Sequence, residues 1–235
     1  MKKNIFYGRT SSKKSKNAYK KVKYLNPKFN FPPAFKQAFI NDPKWILFSL
    51  SRYKFVSKLL KGKNRVLEIG CWDGACSMLV AKNVNELYAI DFYRKHVDDA
   101  KKFVSKLQKN IFFSGEDFLD FNKNYLDKFD AIYSVDVLEH IDKKQEKIFF
   151  NNALKYLKKD GILITGTPSK ESQKYASIGS RISHINCKTG QQLKDLNLKY
   201  FENCFLFSMN DEVIHTGYEK MANYLFTIST CKKAF

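Results

Sequence analysis

At 235 residues the chain accommodates one domain with an N-terminal extension, and a hydrophobic content of 44% is enough to bury a full core. No apolar run reaches the ~18–20 residues of a membrane span, and Met1-Lys2-Lys3-Asn4 leads into no apolar leader, so a cytoplasmic protein is expected. The net charge of +19 suits a polyanionic partner, but lysine is spread along the whole chain and is concentrated only between Lys13 and Lys23. The five cysteines (Cys71, Cys76, Cys187, Cys204, Cys231) show no C-x-x-C spacing, which argues against zinc and for reduced, semi-buried thiols.

Residues 1–25 are polar, lysine-rich and without periodicity, and are expected to form a flexible, mostly solvated tail. Asn26 to Pro33 contains three prolines and reads as a turn or cover strip. From Pro43 to Leu60 apolar residues recur at helical spacing, with Asp42-Pro43 as N-cap and N1. Strands and helices then alternate. Strands are expected at 65–71, 86–91, 111–115, 129–135 and 161–166. Helices are expected at 75–83, 95–109, 120–127 and 142–158. A long loop over 168–187, a helix at 188–200, a strand at 204–209, a loop at 210–220 and a strand at 223–231 complete the chain. Repeated strand–helix units imply a parallel sheet covered on both faces, and the last two strands, joined without a helix, imply an antiparallel edge.

The most informative stretch is Arg65-Val66-Leu67-Glu68-Ile69-Gly70-Cys71-Trp72-Asp73-Gly74, a buried strand that breaks at glycine and opens into a helix. Such a turn lets backbone approach a nucleotide-like ligand closely. The next strand ends in Asp91, 23 positions after Glu68, where a carboxylate can accept both hydroxyls of a ribose. The set Glu68-x-Gly70-x-x-x-Gly74 with Asp91 resembles the cofactor site of class I S-adenosylmethionine-dependent methyltransferases. A nicotinamide fingerprint does not fit, because Ala75 stands where its third glycine belongs. The resemblance spans roughly residues 45–231. It implies a Rossmann-like α/β fold: a seven-stranded, mostly parallel sheet with an antiparallel C-terminal edge strand and helices on both faces. The expected division is a flexible tail over 1–25, a helical cap over 26–62 and the methyltransferase domain over 63–235. The family usually has glycine where this chain has Trp72. Tryptophan enters positive φ only at a cost, so the loop is expected to differ in shape there.

The same resemblance distributes roles. Gly70 and Gly74 admit the methionine and ribose portions of the cofactor, and Glu68 organises the loop or reaches the amine through water. Asp91 takes the ribose, with helix capping as its plain alternative. Phe92 and Phe118 pack on adenine, and Asp117 accepts from the adenine amino group or caps the turn that follows. Arg52 faces the cofactor carboxylate. After the fourth strand, Asp136-Val137-Leu138-Glu139-His140-Ile141 resembles the D-x-L-E-H-I segment of small-molecule methyltransferases and brings Asp136 to the transferred methyl. Some quinone-pathway relatives use matching positions for a divalent ion, but two acids and one histidine at this spacing are a weak metal signal, and no metal is expected.

No Asn/Asp-Pro-Pro-aromatic motif follows the fourth strand, and Thr230-Cys231 is misplaced for a cytosine nucleophile, so methylation of nucleic-acid bases is not expected. Candidate bases are His184, then His215, then His140. Lys170, Arg181 and Lys188 are candidates for holding a phosphate. The loops around 166–190 and 210–218 resemble those of bacterial methyltransferases associated with surface-polysaccharide (capsule) biosynthesis. The expected activity is transfer of a methyl group from S-adenosyl-L-methionine, leaving S-adenosyl-L-homocysteine, to oxygen on a small metabolite. A sugar, sugar nucleotide or phosphorylated or phosphoramidate precursor is the favoured acceptor. An RNA or protein methyltransferase docked by its basic surface, and a non-catalytic cofactor-binding protein, are the alternatives. The oligomeric state is not legible.

Overall fold

The computed structural model describes residues 30–233 and, ahead of them, Ser12, Lys13 and Asn17. The flexible-tail expectation for 1–25 falls almost wholly outside the described residues. The chain divides at Asn30/Phe31, and everything below concerns the unit that begins at Phe31.

Helix α1 (Pro33–Asn41) and helix α2 (Pro43–Leu59) come first. The prolines of Phe31-Pro32-Pro33, at the end of the expected 26–33 turn or cover strip, lead into a helix that lies within the expected 26–62 helical cap. Pro33 stands at its first position, where a missing N–H costs nothing. Asp42 caps α2 as expected, accepting from Lys44 N at 3.1 Å. Strand β1 (Arg65–Ile69), helix α3 (Ser77–Ala81), β2 (Glu86–Asp91), helix α4 (Arg94–Phe103), β3 (Ile111–Gly115) and β4 (Phe129–Val135) follow. Then come helix α5 (Glu146–Tyr156), β5 (Leu157–Pro168), helix α6 (Ile178–Ser183), helix α7 (Gly190–Leu198), β6 (Phe201–Asn210), β7 (Val213–His215) and β8 (Tyr224–Lys232).

The strands form one sheet in the order β3-β2-β1-β4-β5-β8-β6-β7. β1 to β5 pair in parallel, and β8 lies antiparallel to both β5 and β6. The α/β, mostly parallel architecture is the expected one, with eight strands rather than seven. The extra strand, β7, pairs Val213–His215 with Ser208–Asn210 inside the expected 210–220 loop. β5 also starts four residues early. Asp160-Gly161, expected to turn into the strand, lies in a register shift between the Phe129–Leu157 and Ala131–Ile162 pairs.

Side chains alternate along β1. Val66 joins the core under α2, α3 and α4, whereas Leu67 and Ile69 join the core under α5 and α7. Burial on both faces explains why the parallel strands read as nearly continuous apolar runs. The strand order reverses between β1 and β4, which opens a crevice at their carboxyl ends.

Candidate functional site

Every element of the site lies at that crevice. The loop after β1 turns on Gly70 (φ 77°), Trp72 (φ 50°) and Gly74 (φ 76°). A methyl group on Gly70 would collide with Val137, and one on Gly74 would lie 2.6 Å from Phe113 Cζ, so both glycines are required by contact as well as by dihedral. Trp72 was expected to reshape the loop. It adopts the left-handed conformation instead. Two features hold it there: its N–H donates to Asp91 Oδ2 at 2.9 Å, and its ring meets those of Trp45 and His96 edge-on, at 5.7 and 6.2 Å.

Asp91 is 8% exposed and also accepts from Tyr93 N, at 2.8 Å. It therefore closes the loop across β1 and β2, and each oxygen keeps a second lone pair for a ligand hydroxyl. Glu68 is fully buried on the α2 side of β1, and Tyr53 donates to its Oε1 at 2.8 Å. Burial raises the Glu68 carboxyl to about 7. Glu68 thus ties α2 to β1 beneath the loop. Asp73, which carried no sequence-based role, is also buried. Its Oδ2 accepts from Phe35 N at 2.6 Å and its Oδ1 from Ala75 N at 3.2 Å. It satisfies an orphan N–H in the first turn of α1 from a different element, and burial raises its carboxyl to about 6.

The adenine candidates separate. Phe92 is 78% exposed at the rim. Asp117 is exposed and accepts from Leu119 N at 2.9 Å, a local turn contact. The Phe118 ring is only 5% exposed and packs edge-on to Phe149 and Tyr156 in the core, not on an open face.

Arg52, from α2, reaches Asp136 at the end of β4. Its Nη1 donates to Oδ1 at 3.0 Å and to Oδ2 at 2.8 Å, and its guanidinium carbon lies 3.9 Å above the Tyr224 ring. Asp136 is itself left-handed (φ 59°), with its N–H donating to Gly166 O and to the Tyr224 hydroxyl at 3.1 Å. Arg52 Nε is buried with no hydrogen-bond partner, a donor free for an anionic group such as an amino-acid carboxylate.

One turn further, the fold assembles a cluster that the sequence shows only in pieces. One ligand atom each from Glu139, His140 and His184 lie within 4.8 Å of one another, and the two imidazoles meet at 5.1 Å. His140 Nδ1 faces Ser183 O and His184 Nδ1 faces Gln173 Oε1, each at 2.9 Å. The Gln173 amide is oriented by its own donation to Ser169 O at 3.1 Å. In a neutral imidazole, each Nδ1 therefore carries the proton and each Nε2 keeps a lone pair. Burial, then the neighbouring His140, lowers the His184 pKa and favours that neutral form. Glu139 is fully buried. Thr167 donates to its Oε2 at 3.1 Å, and its Oε1 has no hydrogen-bond partner. Burial and the charge of Asp136 raise its carboxyl to about 8. The metal-free expectation rested on Asp136, Glu139 and His140 alone. His184, brought in from 44 positions away by α6, completes a donor set that could hold a divalent cation.

His215 does not join this cluster. It sits on β7, four strands from β4, about 19 Å at ordinary strand spacing. Its Nε2 contacts Asn210 Oδ1 at 3.2 Å. Lys188 is buried, ion-paired with Glu146 and bonded to Asn186 Oδ1 at 2.7 Å, so it is committed to structure and not free to hold a phosphate. Lys170 and Arg181 are exposed.

A methyltransferase-domain family model matches residues 60–211, from the end of α2 through β6. The chain belongs to the methyltransferase domain family. Its cofactor is S-adenosyl-L-methionine, and the paired glycine turn, the Asp91 lone pairs and the unpartnered Arg52 Nε fit that molecule. Among curated proteins, this methyltransferase is 29% identical over 126 residues to the ubiquinone biosynthesis O-methyltransferase of Coxiella burnetii, covering 53% of this chain and 52% of that protein. It is 26% identical over 116 residues to the protein of the same name from Rickettsia akari, covering 48% and 44%. The match thus spans about half the length of these curated relatives. The methyltransferase domain of bacterial CtHen1-C superposes with a TM-score of 0.66 at 16% identity, over 79% of this chain and 100% of that one. The N-methyltransferase NodS of Bradyrhizobium japonicum, in complex with S-adenosyl-L-homocysteine, superposes at 0.56 with 19% identity, over 82% and 87%. These structures share the fold. Among the described residues no helix is long and apolar enough to cross a membrane.

Proposed function

We propose that this methyltransferase transfers a methyl group to an oxygen of a small metabolite, with Glu139, His140 and His184 handling the acceptor hydroxyl. The meeting of those three side chains beside Asp136, at the carboxyl end of β4, carries the reading. The likeness over half their length to O-methyltransferases supports oxygen as the acceptor atom.

The same reading assigns the cofactor-binding roles. Gly70 and Gly74 admit the cofactor backbone, Asp91 takes the ribose, and Arg52 and Asp136 take the carboxylate and ammonium of the amino-acid moiety. Glu68 and Asp73 hold the loop from beneath, and Phe92 and Asp117 form the adenine rim. When bound, S-adenosylmethionine supplies an electrophilic methyl carbon on a sulfonium. His184 Nε2 accepts the proton of the acceptor hydroxyl as the oxygen–carbon bond forms and the sulfur–carbon bond breaks. Gln173 fixes the tautomer that makes this possible. A second reading rests on the partnerless Oε1 of Glu139: Glu139, His140 and His184 would hold a divalent cation, which would supply Lewis acidity at the acceptor hydroxyl. The acceptor class we favour is a sugar, sugar nucleotide or phosphorylated precursor of a bacterial surface polysaccharide, supported by the exposed lysines near the site.

The test is H184N, which removes the Nε2 base. It should lower kcat by about 10²–10⁴-fold with little change in S-adenosylmethionine binding. Unchanged kcat removes His184 from the mechanism. Activity abolished by a chelator and restored by Mg²⁺ or Mn²⁺ selects the cation reading.

A further inference from the structure

Beside the His184 cluster, an open cleft of about 710 Å³ lies between the turn Glu171–Tyr175 and the turn Glu219–Met221. Its floor is the end of the β5–β8 pair, closed by the bond from Ser169 N to Asn223 O at 3.1 Å. The cleft therefore opens at the same end of the sheet as the cofactor crevice. Gln173 lies on the same turn as the lining residues Ser172 and Lys174, and its Oε1 faces His184 Nδ1 at 2.9 Å, so one turn carries both the cleft wall and a partner of the proposed base.

Three lysines line this cleft, Lys170, Lys174 and Lys220, against one carboxylate, Glu171. None of the three forms an ion pair with a described residue. Elsewhere in the chain, Lys158, Lys188 and Lys232 each find an acid. Gathering ammonium groups that lack an acid in one concavity costs free energy that an anion recovers. Tyr175, 79% exposed, and Met221, 73% exposed, add apolar surface at the rim of the same cleft. Lys174 Nζ lies over one face of the Tyr175 ring, 4.7 Å from its centroid, and the ring's other face beside these ammonium groups suits a ring attached to a phosphate.

The geometry points to this cleft as the acceptor's anion subsite: Lys170, Lys174 and Lys220 hold a phosphate or diphosphate ester while Tyr175 packs on the ring it carries. The inference rests on the reading above that the acceptor is a small phosphorylated metabolite, and it assigns the phosphate to a place. The phosphate has two possible sources, a soluble sugar phosphate or nucleotide and a lipid headgroup. Exposed Ile178, Ile182 and Ile185, just beyond the cleft wall, make the second source worth a separate arm.

The experiment is calorimetric titration of the full chain with inorganic pyrophosphate, with uridine diphosphate and with glucose, together with co-sedimentation on phosphatidylglycerol vesicles. Each is repeated on the K170E/K174E/K220E triple variant. Both phosphate probes should bind the wild type, with affinity falling as salt rises, and glucose should not. The triple variant should lose roughly tenfold or more in affinity for them. Sedimentation with vesicles, without binding of uridine diphosphate, assigns the subsite to a lipid headgroup. No binding to any anionic probe, or binding unchanged in the variant, overturns the subsite. S-adenosylmethionine titrated in parallel separates the two failures. If it binds and an uncharged acceptor is methylated, the subsite falls and the methyltransferase reading stands. If it does not bind either protein, the methyltransferase reading falls as well.

Discussion

Arg52 and Asp136, 84 positions apart, are joined by two hydrogen bonds from one guanidinium nitrogen, so that helix α2 and the end of β4 meet across the cofactor crevice. The pair is part-buried, with 14% of the arginine and 33% of the aspartate side chain exposed. Truncating one partner strands a charge that solvent only partly screens. R52A is expected to lower stability by about 1–3 kcal/mol, below the range for fully buried pairs. It should also weaken S-adenosylmethionine binding by at least about tenfold, which calorimetry reads directly. The double variant R52A/D136A should cost less stability than the two single variants added together, because the second substitution removes the charge that the first exposes.

Asp91 carries two roles that one substitution separates. Its carboxylate accepts the backbone N–H groups of Trp72 and Tyr93, so D91A leaves both without a partner. Thermal melts should show a loss of about 1–3 kcal/mol without any ligand present. Binding of S-adenosylmethionine should fall sharply as well. Full stability together with weak binding would confine Asp91 to the ribose; full binding would remove it from the cofactor site.

Trp72 occupies a left-handed position at a cost of about 1–2 kcal/mol. Glycine there would relieve that cost and lose the edge contacts with Trp45 and His96. Each such contact contributes roughly 0.5–1.5 kcal/mol beyond the area it buries. The packing side is the larger, so W72G should be destabilised by about 1 kcal/mol. Trp45 becomes the only tryptophan in that variant. Its emission should move to longer wavelength if the contact with Trp72 shields it, and an unchanged spectrum would argue against the contact in solution.

Burial raises the carboxyl of Glu68 to about 7, above its unfolded value near 4.3. The folded state therefore binds the proton more tightly than the unfolded state. The corresponding stability is complete below about pH 4 and is lost as pH rises toward 7, with a plateau above. Asp73, raised to about 6, acts in the same direction over a lower window. E68Q retains an oxygen acceptor for Tyr53 and cannot ionise. Denaturant melts between pH 5 and 8 should show the wild type losing stability with rising pH and E68Q losing less. Parallel pH dependences for the two proteins would contradict a raised Glu68.

The parallel core was legible because β1, β2, β3 and β4 are bounded by glycine, polar or charged residues, and burial on both faces makes β1 and β4 short apolar runs. Less local features were not. Helix α1 hides behind Pro32-Pro33, which mark a break or a first helical turn with equal force. β7 is three residues long and is stabilised by pairing with β6, which no local pattern announces. At the site, the glycine turn of Gly70 and Gly74 was readable because turn geometry constrains both residue type and spacing. Phe118 was misplaced because an aromatic after a strand looks the same whether it faces a ligand or Phe149. The encounter of His184 with Glu139 and His140 depends on how the end of α6 meets the turn after β4. The sequence displays the three residues and not their distance. The role of Asp73 shows a similar limit: an acid between two glycines hints at a turn, but its partner Phe35 lies 38 positions away.

The most direct test of a small-molecule methyltransferase uses methyl-labelled S-adenosylmethionine with extract from the source cells, fractionated by size and incubated with the purified chain. The account predicts label in the small-molecule fraction, bound through oxygen, and its disappearance with H184N. Label in RNA or protein that persists with H184N would contradict it.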